Sequence, residues 1–448
     1  MSRYVAPELA ALWLADVVLA FTVAHLLTAS PAAREVLGAS WQALDARLIN
    51  HAALLASMLG TTAIAIGLYR PDICLEPRRV ALNAAVVALI AFPVALAVGG
   101  AFSPELIGAY AAQLGGILAV WVASVLLVRW TLRSTLSPAL LVRRVLLVGA
   151  GESSSRLVAA LRTRRAAMFE VAGAVEAAGT PPSLEALRRS RVWALVATGG
   201  CDPDASAWML DYKLRGIEVF DELAFCERHL GRISLERLSV AWLLGAEGFG
   251  SGRLGRAVKR ATDIVVSLAM LVLTLPLMAL TALAVRLDSP GPALYRQERA
   301  GLHGQSITLL KFRSMRVDAE AGGTPRWAAR ADSRVTRVGA FIRSTRIDEL
   351  PQLLNVLRGD MSLVGPRPER PHFVEQLAEL IPFYTQRSYV KPGLTGWAQV
   401  NYPYGASVED AREKLAYDLY YVKNQGFFLD MLVLLATVRV ILFREGAR

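Results

Sequence analysis

Asp348 and Glu349 are adjacent carboxylates in a stretch crowded with cations. Arg343 and Arg346 precede them, Arg358 and Arg367 follow, and Lys311 and Arg313 lie upstream. Neighbouring residues on a helix point about 100° apart, so each acid can serve a different partner. One can act as nucleophile or base while the other binds a divalent cation such as Mg2+. Clustered arginines around the pair would hold a pyrophosphate, with the cation screening it from the carboxylates. Taken by itself, "RIDELPQ" also reads as a helix with solvated charges.

These residues must be carried by the last third of the chain. From 290 to 448 the sequence is polar and basic, with helical patterns such as "RIDELPQLLNVLRGD" and "VEDAREKLAYDLYYVKN". The closing "FFLDMLVLLATVRVILF", interrupted by Arg439, suits membrane-surface or re-entrant packing better than a clean span. Ahead of this region an apolar run from Ile264 to Leu287 is flanked by Arg256, Lys259 and Arg260 on one side and closed by Arg286. Pro276 sits at its middle, where it removes a helical hydrogen bond. A helix broken at this hinge would enter and leave through one leaflet, and a fifth span with a proline kink is the alternative.

Residues 143–245 alternate strand and helix patterns, which implies a small parallel α/β domain. Its turn reads Gly149-x-Gly151-x-x-Ser154, a dinucleotide-type fingerprint with Ser in place of the third glycine, and Glu176 comes late for a ribose-binding acid. A structural or regulatory role and a bound nucleotide-like ligand are both open. The glycine-rich "GAEGFGSGRLGR" reads as a linker to the next unit.

The first 135 residues hold four apolar stretches of spanning length, near Leu9–Thr28, Ile49–Leu68, Val80–Val98 and Gly108–Val128. Arg70, Arg78 and Arg79 follow the second, and Arg129, Arg133, Arg143 and Arg144 follow the fourth. The other two loops carry only Arg34 and Arg47. By the positive-inside rule both ends of this module face the cytoplasm. Asp16 and His25 lie near one face of the first stretch, where a bundle interior can satisfy them, with an ion path as the other reading. Composition agrees with a membrane protein: 54% of the 448 residues are hydrophobic and 19% charged, with net charge +11 and mean hydropathy +0.39. Residues 251–448 hold 27 Lys+Arg against 18 Asp+Glu, which favours lipid headgroups or phosphorylated substrates over nucleic acid. Cys74, Cys201 and Cys226 lack metal-ligand or CxxC spacing, so a disulfide framework and a zinc site are unexpected.

"KFRSM" from Lys311, "DELPQLLNVLRGDMSLVGPRPE" from Asp348, "KPGLTGWAQVN" from Lys391 and "YDLYYVKN" from Tyr417 together resemble the bacterial sugar transferases, the monotopic polyprenyl-phosphate glycosyl-1-phosphate transferases. The resemblance covers about residues 253–448, and the whole chain is similar to the long members of that family. It implies a membrane protein of mixed architecture: a four-helix transmembrane module (1–135), a Rossmann-like α/β domain (143–245), and a mostly α monotopic catalytic domain (253–448) with a re-entrant helix near 259–287. It further implies transfer of hexose 1-phosphate, glucose before galactose, from a UDP-sugar to undecaprenyl phosphate. UMP would be released and exopolysaccharide, capsule or O-antigen repeats begun. An N-acetylated amino-sugar donor is the rival within enzymology, and an idle membrane scaffold for polysaccharide assembly is the rival outside it.

By the same resemblance Asp348 is the nucleophile, Glu349 binds Mg2+, Arg367 contacts a phosphate from a loop stiffened by Pro366 and Pro368, and Arg343, Lys311 and Arg313 support it. Short members carry Ser-Pro at the hinge where this chain has Leu275-Pro276, so Thr274 is the nearest hydroxyl for a carbonyl freed there. Tyr384, Trp397 and Tyr402 are candidates for stacking on uracil, with packing as the plainer role. The implied setting is the bacterial inner membrane, with the catalytic domain on the cytoplasmic face in contact with lipid and a homodimer as the assembly.

Overall fold

A computed structural model describes residues 7–29, 48–69, 73, 76–102, 107–135, 142–149, 151–162, 168–199, 203–250, 252–316, 334–403, 405 and 407–442. Arg34, Arg47, Arg70, Cys74 and Cys201 lie outside the described residues. The chain divides into two compact units, Met1–Leu230 and Gly231–Arg448.

The first unit opens with four apolar helices, α1 (Pro7–Thr28), α2 (Leu48–Ile66), α3 (Pro77–Phe102) and α4 (Ile107–Thr135). Of these, α1, α3 and α4 are long and apolar enough to cross a membrane, and α2 is apolar over His51–Ile66. Small residues let the backbones approach: a Cβ at Gly60 would lie 2.5 Å from Val17, and Trp13 Nε1 donates to Gly60 O at 3.2 Å. Asp16 is satisfied inside the bundle by Arg129 at 2.7 Å and by the Tyr69 hydroxyl at 3.0 Å. His25 stacks on Phe21.

A parallel sheet follows, built from β1 (Arg143–Val148), β2 (Phe169–Val175), β3 (Val192–Ala197) and β4 (Glu218–Asp221) in the order β2-β1-β3-β4. The connecting helices are α5 (Glu152–Leu161), α6 (Leu184–Arg189) and α7 (Pro203–Leu214). Alternate residues of β1 feed opposite cores, Val145 and Leu147 one, Leu146 and Val148 the other, as a strand covered on both faces requires. Gly149 has φ 125°, and a Cβ there would collide with the Thr198 carbonyl oxygen. Gly151, at φ 106°, caps α5. Ser154 explains its own presence in the third glycine position: its hydroxyl donates to Gly149 O at 2.8 Å and bonds the Thr198 hydroxyl, tying the turn to β3.

In the second unit, residues 231–249 pack on residues 408–424 and include a short helix, α8 (Val240–Gly245). Ile233 N donates to Ala416 O at 3.0 Å and Phe249 N to Lys423 O at 3.1 Å. Arg232 pairs with Glu413 at 2.6 Å. Then come α9 (Arg253–Asp288), an antiparallel hairpin of β5 (Leu294–Ala300) and β6 (Ser306–Phe312), α10 (Arg337–Ser344) and α11 (Gln352–Arg358). Strand β7 (Ser362–Val364) pairs in parallel with β8 (Gly393–Thr395), and α12 (Pro371–Leu380) lies between them in sequence. The unit closes with α13 (Trp397–Asn401), α14 (Val408–Asn424) and α15 (Phe427–Leu442).

Helix α9 has 36 residues with Pro276 inside it, where a proline leaves one carbonyl without its helical donor and bends a helix without ending it. Thr274 does not serve the carbonyl that Pro276 frees at Val272; its hydroxyl donates to Met270 O at 2.7 Å. Leu268, Val272, Leu273, Leu275, Leu280 and Leu283 are exposed along it, as a lipid-facing surface requires. Both ends are held by the same unit. Near the start, Arg260 donates to the carbonyls of Val356 and Leu357 at 2.6 and 2.7 Å, and Asp263 accepts from Ser362 Oγ and Leu363 N. Near the end, Val285 packs on Phe312 and Ile342, and Asp288 accepts from Val338 N. The holding elements are themselves joined, since Asn355 of α11 bonds Leu310 N and Thr308 O of β6.

Candidate active site

Asp348 and Glu349 do not sit on an α-helix. Helix α10 ends at Ser344, Arg346 turns left-handed at φ 62°, and Ile347–Glu349 form a single 3-10 turn before α11 begins. The left-handed arginine is an unfavourable backbone state that the surrounding fold must hold, and such states cluster at functional sites. In a 3-10 turn successive side chains are about 120° apart, so the two carboxylates diverge further than helical spacing allows.

They diverge into different surroundings. Glu349 Oε1 stands 2.8 Å from Arg367, 3.4 Å from Lys311 and 3.6 Å from Arg346. Burial alone would raise its pKa, but the charges of Arg367, Lys311 and Arg346 outweigh it and hold the carboxyl well below the usual range. Asp348 is equally buried, and its Oδ1 has no hydrogen-bond partner among the described residues. Burial, then the adjacent negative charge of Glu349, pushes its pKa up to about 6 against partial opposition from Lys311, Arg346 and Arg367. One acid is therefore locked as an anion by cations, and the other holds a buried oxygen with no hydrogen-bond partner among the described residues.

Both face a cavity of about 750 Å³. Arg299, Lys311, Arg343, Arg346 and Arg367 are among its lining residues, and Val266 and Met270 of α9 with Leu434 and Val438 of α15 add apolar lining. Arg343 reaches the cavity and has no side-chain partner among the described residues. Lys311, from β6, has its pKa lowered by burial, with Glu349 opposing the shift. Arg313 also borders the cavity, but its guanidinium donates to the carbonyls of Val285, Ser289 and Pro290 and so closes the C-terminal end of α9; it is not directed at a phosphate. Arg358 is exposed at the end of α11 and does not line the cavity. Tyr384 and Tyr402 border it, with hydroxyls bonded to Arg387 and Asp410. Trp397 does not: it stacks on Tyr420 and donates to Gly231 O at 2.7 Å. Sequence reasoning did not single out Arg299, Arg387 or Asp418. The last lies in the recognised "YDLYYVKN", which carried no assigned role.

Among the described residues, no third Asp, Glu, His or Cys joins the pair to make a protein-only metal cage. Mg2+ does not need one, because it takes one or two carboxylates and completes its shell with phosphate oxygens and water. The unpartnered Asp348 oxygen beside Glu349 fits a cation that arrives with a pyrophosphate. Three cations around Glu349 oppose a lone divalent ion.

Fold and site define a class: a membrane protein with a buried, cation-flanked carboxylate pair opening toward a lipid-facing helix. Comparison with known proteins narrows it, since the model of the bacterial sugar transferases matches residues 254–444. An undecaprenyl-phosphate glucose phosphotransferase of Komagataeibacter xylinus is 34% identical over 321 residues, 68% of this chain and 60% of that protein. A UDP-glucose:undecaprenyl-phosphate glucose-1-phosphate transferase of Caulobacter vibrioides is 46% identical over 191 residues, 42% of this chain and 71% of that protein. A UDP-N-acetylgalactosamine-undecaprenyl-phosphate N-acetylgalactosaminephosphotransferase of Aeromonas hydrophila is 48% identical over 191 residues, 43% of this chain and 45% of that protein. The chain belongs to the bacterial sugar transferase family. It spans about half the length of the curated relatives first matched, 45% and 60%.

Proposed function

We propose that the protein transfers a sugar 1-phosphate from a UDP-sugar to undecaprenyl phosphate, releasing UMP and beginning the synthesis of a polysaccharide repeat. The observation that carries this reading is the unpartnered, buried Asp348 oxygen facing a cavity lined by Arg367, Lys311 and Arg346. In the first step an Asp348 oxygen bonds the β-phosphorus of the donor, and the bond from that phosphorus to the bridging oxygen breaks, so UMP leaves with the electron pair. In the second, a phosphate oxygen of the lipid bonds the same phosphorus and the aspartate oxygen departs, regenerating the carboxylate. Two displacements through a covalent intermediate replace one between two poor partners. Arg367, Lys311 and Arg346 offset the charge that collects on the phosphoryl oxygens. Mg2+, held by Glu349 and the substrate, would supply further charge neutralisation. The apolar lining from α9 and α15 gives the prenyl chain a route from the bilayer to the site.

Placement on the cytoplasmic face of the inner membrane belongs to the same proposal. Asp263 and Val285 are about 33 Å apart along a straight helix, comparable to the hydrocarbon thickness. A perpendicular crossing would put one of them beyond reach of the unit that holds both. A helix that enters and leaves by one leaflet, or lies along it, keeps both contacts. UDP-sugars are made in the cytoplasm, so the leaflet is the cytoplasmic one.

Glucose 1-phosphate is the first candidate group, galactose 1-phosphate the second. The likeness to the Aeromonas hydrophila enzyme makes an N-acetylated amino sugar the competing reading. A panel of UDP-sugars with undecaprenyl phosphate and Mg2+ in detergent, scored by UMP release, decides among them. Release from none of the panel would overturn the enzymatic reading in favour of a scaffold.

A further inference from the structure

Arg367 extends from a loop between two prolines, and that sequence limits it without fixing it. Proline sets its own φ and drives the preceding residue to extended backbone, so Gly365 to Pro368 is stiff. The orientation of the Arg367 carbonyl, and with it the point from which its side chain reaches Glu349 at 2.8 Å, is left to outside contacts. One guanidinium supplies that contact. Arg387 Nη2 donates to Arg367 O at 3.0 Å, and the same group is held by Asp418 Oδ2 at 2.7 Å from Nη2 and 3.0 Å from Nε. Its Nη1 donates to the Tyr384 hydroxyl at 3.2 Å. Arg387 and Asp418 are both buried. Around them, Arg299 Nη1 donates to Pro368 O at 3.2 Å, and the Tyr421 hydroxyl, one turn beyond Asp418 on α14, donates to Val364 O at 2.9 Å.

Arg387 borders the cavity, and by type it would be counted as one more phosphate-binding cation. Its geometry argues otherwise, because Nε, Nη1 and Nη2 are all engaged with the protein. Resting on the catalytic reading above, we propose that Arg387, anchored by Asp418 of the "YDLYYVKN" motif, is a positioning residue that aims Arg367 at the donor pyrophosphate and does not itself bind it. A lysine cannot reproduce this role: it keeps the charge but cannot reach Asp418, Tyr384 and Arg367 O at once.

The test is a double-mutant cycle in the full chain, with Arg387→Lys in the wild-type and Arg367→Ala backgrounds. It is read as UDP affinity by calorimetry and as kcat/KM for UMP release, with thermal melts as the control for folding. Displacing a reacting or binding group by about 1 Å costs on the order of 100-fold. Arg387→Lys should therefore lower kcat/KM by about 100-fold and weaken UDP at least about tenfold when Arg367 is present, and change either by less than about twofold when Arg367 is absent. Equal losses in both backgrounds would overturn the proposal, since Arg387 would then act on the ligand or the fold directly. Asp418→Asn runs in the same cycle and decides the matter if Arg387→Lys does not fold. UDP binding needs no turnover, so the cycle still reports if no donor sugar releases UMP, which would count against the transferase reading alone.

Discussion

Replacing Asp348 by Asn should abolish turnover and make the protein more stable at neutral pH. The carboxyl titrates near pH 6 in the folded protein because burial and then Glu349 oppose its charge, against 3.8 for the ordinary group. A folded-state pKa above the unfolded one means that the stability associated with the protonated form is complete below about pH 4 and is lost as pH rises through 6. The shift of about two units corresponds to roughly 3 kcal/mol at pH 7.5. Asn keeps the shape and the hydrogen-bonding edge without the charge, so the penalty disappears in the variant. For a unit of about 200 residues that amounts to a melting temperature roughly 6–12 °C higher at pH 7.5, converging with the wild type near pH 4. Melts in detergent from pH 4 to 8 measure it. UMP release by the wild type should fall about tenfold between pH 7 and 5 as the nucleophile protonates. An Asn variant that melts below the wild type at pH 7.5, or by a margin independent of pH, would refute the electrostatic account. Turnover near wild type would refute the covalent mechanism.

Glu349→Gln should behave oppositely in stability. Its carboxylate is the shared partner of Arg367, Lys311 and Arg346, and removing it takes away the one charge that offsets all three, a loss of about 3 kcal/mol readable as a lower melting temperature alongside severely reduced UMP release. A fragment of residues 231–448 should partition with membranes and melt higher than one of residues 253–448, because Arg232, Ile233 and Phe249 are bonded to α14. Equal melts would show that this strap is dispensable. A cysteine at Ser306, in a background without the three native cysteines, should be labelled only from the cytoplasmic side; Pro276→Leu should expose part of the population from outside, and labelling from outside with Pro276 intact would remove the one-leaflet reading. Ser251, the matching position before the helix, lies outside the described residues, and Ser239 is an exposed substitute ahead of α9.

Membrane character, the α/β pattern and the carboxylate pair are legible along the chain without the fold, because each is written in local terms. Apolar runs of spanning length, the alternation of β1 and the Asp348-Glu349 and Pro366-Arg367-Pro368 spacings need no partner to be read. Tertiary structure decided what each cation does. An arginine side chain reaches several ångströms from its backbone and takes whichever acid or carbonyl the fold brings near, so type and spacing could not separate Arg367, which meets Glu349, from Arg313, which closes α9. The same limit hid Arg387, whose partner Asp418 is 31 residues away. It also hid the left-handed turn at Arg346 that interrupts "RIDELPQ", since a non-glycine residue at positive φ is favoured by no local preference and persists only because the packed surroundings hold it.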